Sequence, residues 1–161
     1  GAMHIPAITN EPKMYGIKTA GSLEAVHLEI DGGATAITDA GVSKPVWYRD
    51  ATARYSTDAI KLATSMGYKI GGYSLNGDQG AWLLAPTVER RIAAARDGDV
   101  IISHINRPTR SAGEGVAKGV LALKAKGMKF VRLKDVETTM SLNPVAPHNL
   151  HAGVPKPAAP K

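Results

Sequence analysis

The chain has 161 residues, a net charge of +6 and no cysteine. That length supports one domain with a real core, and the missing cysteines exclude disulfides, cysteine-based zinc sites and thiol catalysis. No apolar run approaches a membrane span, and the lysines and arginines are spread without the interleaved aromatics of a nucleic-acid surface. No leader pattern opens the chain, which fits either the cytoplasm or an exported bacterial protein whose leader lies upstream of Gly1.

Residues 1–20 contain Pro6, Pro12 and Gly16 and little periodicity, and are expected to form a loop. Ser22 caps a predicted helix with Leu23, Val26, Ile30, Ala34 and Ile37 on one face. Gly32-Gly33 weakens its middle, and Gly41 ends it in a left-handed cap. Val46-Trp47-Tyr48-Arg49, behind Pro45, predicts a strand. Ser56 caps a second helix with Ala59, Leu62, Ala63 and Met66 on one face, closed by Gly67. Tyr68 to Ser74 predicts the next strand, and its two glycines mark a bulge or a close backbone approach. The loop Leu75 to Gly80 follows, and Trp82 beyond it is expected to be a local packing anchor.

Pro86 opens a third helix, with Val88, Ile92 and Ala95 buried and Gly98 at its end. Val100-Ile101-Ile102 is β-branched throughout, too short for a helix, and predicts a strand buried on both faces that ends in Ser103-His104. Ser111-Ala-Gly-Glu114 predicts a capping box for a fourth helix, with Val116, Val120 and Leu123 inward and Lys118, Lys124 and Lys126 outward. Gly127 terminates that helix before a last predicted strand at Phe130-Val-Arg-Leu133. Residues 1–142 thus read as one αβ domain. Pro144, Pro147, Pro155, Pro157 and Pro160 make residues 143–161 an extended tail.

Glycines 41, 67, 98 and 127 each end a predicted helix before an apolar strand, at the spacing of one αβ unit. Four units in series predict an α/β fold whose strands 45–49, 68–74, 99–104 and 129–133 are parallel neighbours in a sheet or part of a barrel. Right-handed crossovers then place the strand C-termini on one rim. Arg49, Asp78 and His104 all lie at or just past such ends, where this architecture builds its sites.

Trp47-Tyr-Arg-Asp-Ala-Thr-Ala53, Asn76-Gly-Asp78 and Ile102-Ser-His104 resemble, in order and spacing, the last three motifs of the NodB-homology polysaccharide deacetylases, and the likeness extends over about residues 1–135. The resemblance implies a distorted (β/α) barrel that removes acetyl groups from amino sugars or polysaccharides with a divalent metal, commonly zinc. By the same resemblance His104 corresponds to the general acid, Asp78 to the carboxylate that orients it, and Arg49 to the arginine that fixes an aspartate base. A carboxylate beside an imidazole favours its protonated form, and a guanidinium offers a planar fork to a carboxylate.

The departures concern the metal. The family's Asp-Asp motif is absent, and only His4 matches a histidine of the family's His-x-x-x-His motif, with Gly1-Ala2-Met3 as spacers. The first histidine would precede Gly1. The chain is then expected to be the carboxy-terminal part of a deacetylase, completed by an amino-terminal segment or a second chain. Otherwise Gly1-Ala2-Met3 is a cloning remnant that imitates the spacers. An incomplete barrel would expose strand edges, so a partner segment or a second copy of the chain is expected to cover them. The other reading is a noncatalytic domain of the same fold that binds a carbohydrate or a partner.

Weaker patterns are set aside. Gly72-Tyr-Ser-Leu-Asn76 lacks the second glycine of a nucleophile elbow, Ser74 to Gly80 lacks the lysine of a phosphate loop, His27 reads as surface, and His148-Asn-Leu-His151 lies in the tail.

Overall fold

Ser22 begins the first helix as its sequence requires. Its backbone is extended, and its Oγ accepts a hydrogen bond from the Ala25 N–H at 3.1 Å, satisfying one of the four free donors of the first turn. The helix, α1 (Leu23–Asp39), runs to a left-handed Gly41 and buries Val26, Glu29, Ile30 and Ala34. Leu23 and Ile37, expected on its inner face, are exposed.

The computed structural model describes residues 1–104, 107–136 and Leu142; the predicted tail at 143–161, with His148 and His151, lies outside them. The chain divides into two compact units. Gly1–Gly72, joined by Leu142, forms one, and the described residues from Tyr73 onward form the other.

In the first unit a two-residue hairpin comes before α1. Strands β1 (Lys13–Met14) and β2 (Ile17–Lys18) pair antiparallel around a turn in which Tyr15 and Gly16 both take positive φ. This replaces the loop predicted for residues 1–20. Strand β3 (Trp47–Tyr48) pairs in parallel with β4 (Lys69–Ile70), and α2 (Thr57–Ser65) makes the crossover between them. The core gathers Val26, Ile30 and Ala34 of α1, Ala59 and Ala63 of α2, and Tyr48, Tyr55, Tyr68 and Ile70 around the strands. Tyr55 is fully buried, and its hydroxyl donates to the Gly71 carbonyl at 2.7 Å while accepting the Asp50 N–H at 3.2 Å.

In the second unit β5 (Leu75–Asn76) pairs in parallel with β6 (Ile101–Ile102), and α3 (Ala85–Ala93) lies between them in sequence. Pro86 occupies the first turn of α3, where the missing N–H leaves no helical bond unmade, and Arg90 and Arg91 stand at its negative C-terminal end. Helix α4 (Ala112–Ala125) packs on α3 through Ala112, Gly115, Gly119 and Leu123. A short 3-10 turn, η1 (Leu133–Asp135), follows.

The structure is therefore a mixed α/β fold with short parallel pairs, and it corrects the four-stranded expectation in three places. Within the segment 68–74 only Lys69–Ile70 is paired as β4, and β5 (Leu75–Asn76) falls where a loop was expected, each pairing with a different partner. Residues 129–133 form no strand; Phe130 and Val131 are 53% and 62% exposed, so their apolar pattern finds no sheet to face. Val100 to Ile102 are half-buried rather than buried on both faces. Among the described residues no helix is long and apolar enough to cross a membrane.

Candidate functional site

The β5–β6 register sets the geometry of the site. Asn76 stands opposite Ile102, and the Gly77 N–H reaches the Ile102 carbonyl at 2.9 Å. Two residues past that pair on each strand come Asp78 and His104, so parallel strands deliver both side chains to one end of the unit. The opposite end is braced by Ser74, whose hydroxyl donates to Asp99 at 2.6 Å and accepts the Val100 N–H at 2.9 Å. The Arg96 N–H and the Ser74 hydroxyl hold the Asp99 carboxyl below its ordinary range. Ser74 is thus a brace between strand starts, with its hydroxyl committed to structure.

Asp78 is completely buried. Its Oδ2 accepts the His104 backbone N–H at 2.6 Å, and its Oδ1 meets the His104 Nδ1 at 3.0 Å and the Gly80 N–H at 3.2 Å. A buried carboxylate is tolerable only with such partners. Where Asp78 is the acceptor of this contact Nδ1 is its donor, and Nε2 makes no hydrogen bond among the described residues. The His104 side chain is 40% exposed against 0% for Asp78. One residue therefore anchors, and the other faces solvent.

The loop behind Asp78 is held in an unusual conformation. Gln79, Gly80 and Ala81 take φ values of 49°, 76° and 64° in succession. For Gln79 and Ala81 this left-handed backbone costs about 1 kcal/mol each. The turn is secured by the Gln79 N–H on Asn76 Oδ1 at 2.8 Å and the Leu83 N–H on the Asp78 carbonyl at 3.3 Å. Trp82 follows. It is 40% exposed, with the Arg110 guanidinium 4.2 Å from its ring centre. It is not the packing anchor its sequence position suggested.

Arg49 belongs to the first unit. It follows β3, is exposed, and lays its stem over Gly71, where an added Cβ would lie 3.3 Å from the Arg49 Cβ. Its neighbour Asp50 carries a signal that the sequence reading left unused, an Asp-x-Thr turn. Asp50 is buried, and its carboxylate accepts N–H groups from Ala7 at 2.8 Å, Thr52 at 3.0 Å and Arg54 at 3.2 Å. Burial pushes its carboxyl up, against the pull of those N–H groups. The geometry is that of a structural clasp.

His4 lies exposed in a left-handed conformation, φ 57°. The flanking N–H groups of Met3 and Ile5 both donate to the buried Glu29 carboxylate, at 2.6 and 3.1 Å. Among the described residues no three His, Asp or Glu side chains come together as a metal site. A hydrolytic zinc needs about three protein ligands and an open position, so these residues do not by themselves fit one. His27 is exposed on α1.

No family model matches the chain, and no curated protein does. Among solved structures it is similar to a family 4 carbohydrate esterase from Streptomyces lividans in complex with acetate, with a TM-score of 0.57 and 16% sequence identity. The match covers 66% of this chain and 54% of that protein, so the chain spans about half the length of its structural neighbour. What the likeness shows, at that identity, is a shared fold.

Proposed function

We propose that the chain carries the general-acid side of a deacetylase that hydrolyses the C–N bond of an acetylated amino sugar or polysaccharide. The observation that supports this most directly is the Asp78–His104 pair, a buried carboxylate that fixes both the backbone and the ring of a half-exposed histidine. In the assigned step water has added to the acetyl carbon, giving up one proton to a base. The tetrahedral adduct then breaks its C–N bond with the electrons going to nitrogen. The His104 Nε2–H bond breaks and its proton goes to that nitrogen, and the acetyl carbon keeps the oxygen that came from water. Acetate and the free amine leave. Asp78 holds the ring so that Nε2 meets the leaving group in one orientation. The fold neighbour, a carbohydrate esterase, supports the substrate class. By the motif resemblance Arg49 holds a carboxylate base, and the whole site belongs to a barrel-like fold.

In this reading a divalent metal, zinc by the family resemblance, requires ligands additional to His4, from an amino-terminal extension or a second chain. The test is acetate release from N-acetylated chito-oligosaccharides, with zinc content measured in parallel. It compares the 161-residue chain with a longer polypeptide that adds an Asp-Asp pair and a second histidine. The chain alone should bind zinc weakly and release no acetate, and the longer protein should do both. In the longer protein His104→Gln should lower the rate by about 10²–10⁴-fold with the fold intact. Unchanged acetate release by His104→Gln would remove the acid role.

The lack of a ligand cluster among the described residues favours a second reading, a binding domain that keeps the fold. Zinc-loaded longer protein that binds the oligosaccharide without releasing acetate would establish it.

A further inference from the structure

The chain that leaves His104 carries positive charge with nothing to balance it. From Val100 to Gly113 the sequence has His104, Arg107 and Arg110 and no aspartate or glutamate. Arg107 and Arg110 are exposed and share one turn, closed by the Arg110 N–H on the Arg107 carbonyl at 3.0 Å. Neither makes an ion pair among the described residues. The site's own carboxylate, Asp78, is buried and committed to His104 and Gly80. Uncompensated charge of one sign at a site draws a ligand of the other.

Arg110 is also held in place. Its guanidinium carbon lies over the Trp82 ring, 4.2 Å from the ring centre. That ring rests against Gly80, where an added Cβ would stand 3.3 Å from Trp82 Cδ1. The Gly80 N–H in turn binds the same Asp78 oxygen that meets the His104 ring. A continuous run of contacts thus ties Arg110 to the Asp78–His104 pair through Trp82 and Gly80. A guanidinium over an aromatic face keeps N–H donors at its edge, where a carboxylate or phosphate can take two at once. Fixing the side chain before the ligand arrives lowers the entropy lost on binding.

We propose that Arg110, fixed over Trp82, selects acidic sugars for the His104 site by gripping a carboxylate or phosphate on the sugar that meets His104 or on its neighbour. The inference takes from the deacetylase reading only that the ligand is a sugar. Its test needs neither metal nor acetate release. The 161-residue chain is titrated at constant ionic strength with glucose, glucuronic acid and glucose 6-phosphate, which differ only at C6. Binding is followed by NMR at the Trp82 indole N–H, assigned from the spectrum of Trp82→Phe. One or both acidic sugars should shift that signal saturably and bind at least about fivefold more tightly than glucose, as a hydrogen bond to a charged group provides. The tighter of the two names the anion. Arg110→Gln should abolish this preference, and Arg110→Lys, which keeps the charge without the planar fork, should lose most of it. Lys129→Gln removes the same charge beyond the far end of α4, about 20 Å along the helix, and should leave the preference unchanged. No preference in the wild-type chain, a preference that survives either Arg110 variant, or its equal loss in Lys129→Gln would overturn the proposal. His104→Gln should keep the preference while acetate release in the longer protein reads the acid role, so the failure of one is seen apart from the failure of the other.

Discussion

Gly115 on α4 offers a sharp test of how closely α3 and α4 approach. A Cβ added there would overlap the Ala85 carbonyl oxygen and come within 2.7 Å of the Val88 Cβ. The first obstacle is backbone, so no side chain can rotate away; the two helices must separate. Helix propensity pulls the other way, because alanine is better than glycine in a helix interior by about 1 kcal/mol. Overpacking a well-filled contact costs about 1–3 kcal/mol, and a clash with a carbonyl puts this case at the upper end. Gly115→Ala should therefore destabilise by about 2 kcal/mol net. Gly113→Ala, two positions earlier with nothing within 4 Å of its added Cβ, should instead stabilise by about 0.5 kcal/mol. Urea denaturation followed by far-UV circular dichroism reads both. Gly115→Ala at or above wild-type stability would refute the close approach, and with it the account of the second core.

Thr9 donates its hydroxyl to both oxygens of Asp58, at 2.8 and 2.6 Å. Partial burial raises the Asp58 carboxyl, but hydrogen bonds from Ser56, Thr9 and the Ala59 N–H outweigh it and hold it below its ordinary value of 3.8. A carboxyl lowered by folding adds stability above its unfolded pKa and loses it as the pH falls through the folded one. Thr9→Val should therefore move the Asp58 titration, followed by carboxyl carbon NMR, back up towards 3.8 and start acid unfolding at a higher pH. Glu29→Gln replaces an acceptor-only carboxylate beneath Met3 and Ile5. Hydrogen exchange at those two amides should quicken by about tenfold or more relative to the centre of α1, and equal protection would contradict the clasp.

Helix boundaries were the most legible part of the sequence because their signals are local. Ser22 caps α1, and glycines 41, 67, 98 and 127 take positive φ after successive helices, as their positions indicate. Signals that depend on distant partners were misleading. Ser111 and Glu114 spell a capping box, yet Ser111 Oγ accepts the Ala85 N–H from α3 at 3.2 Å, and Glu114 pairs with Lys118 at 2.7 Å. Ser56 likewise makes no cap bond, and its hydroxyl accepts the Thr9 N–H instead. Gly32-Gly33 looked like a weak point in α1. In the fold an added Cβ at Gly33 would stand 2.8 Å from the Gly1 Cα, so the pair admits the first residues against the helix. The contact between Asp78 and His104 was legible because both residues lie just past the ends of parallel strands. Asp50 was passed over because a carboxylate whose work is to collect backbone N–H groups looks, in sequence, like any loop aspartate.

The placement of Asp78 and His104 two residues beyond a paired position separates what may vary from what must not. Side chains alternate faces along a strand, so one residue inserted between Asn76 and Asp78 would turn the carboxylate to the opposite side and dissolve the pair. Insertions after Leu83, or in the turn from Arg107 to Arg110, leave that count untouched. The two-residue ladder acts as a ruler, and the loops beyond it can change length and chemistry across generations while the carboxylate and the imidazole keep their distance.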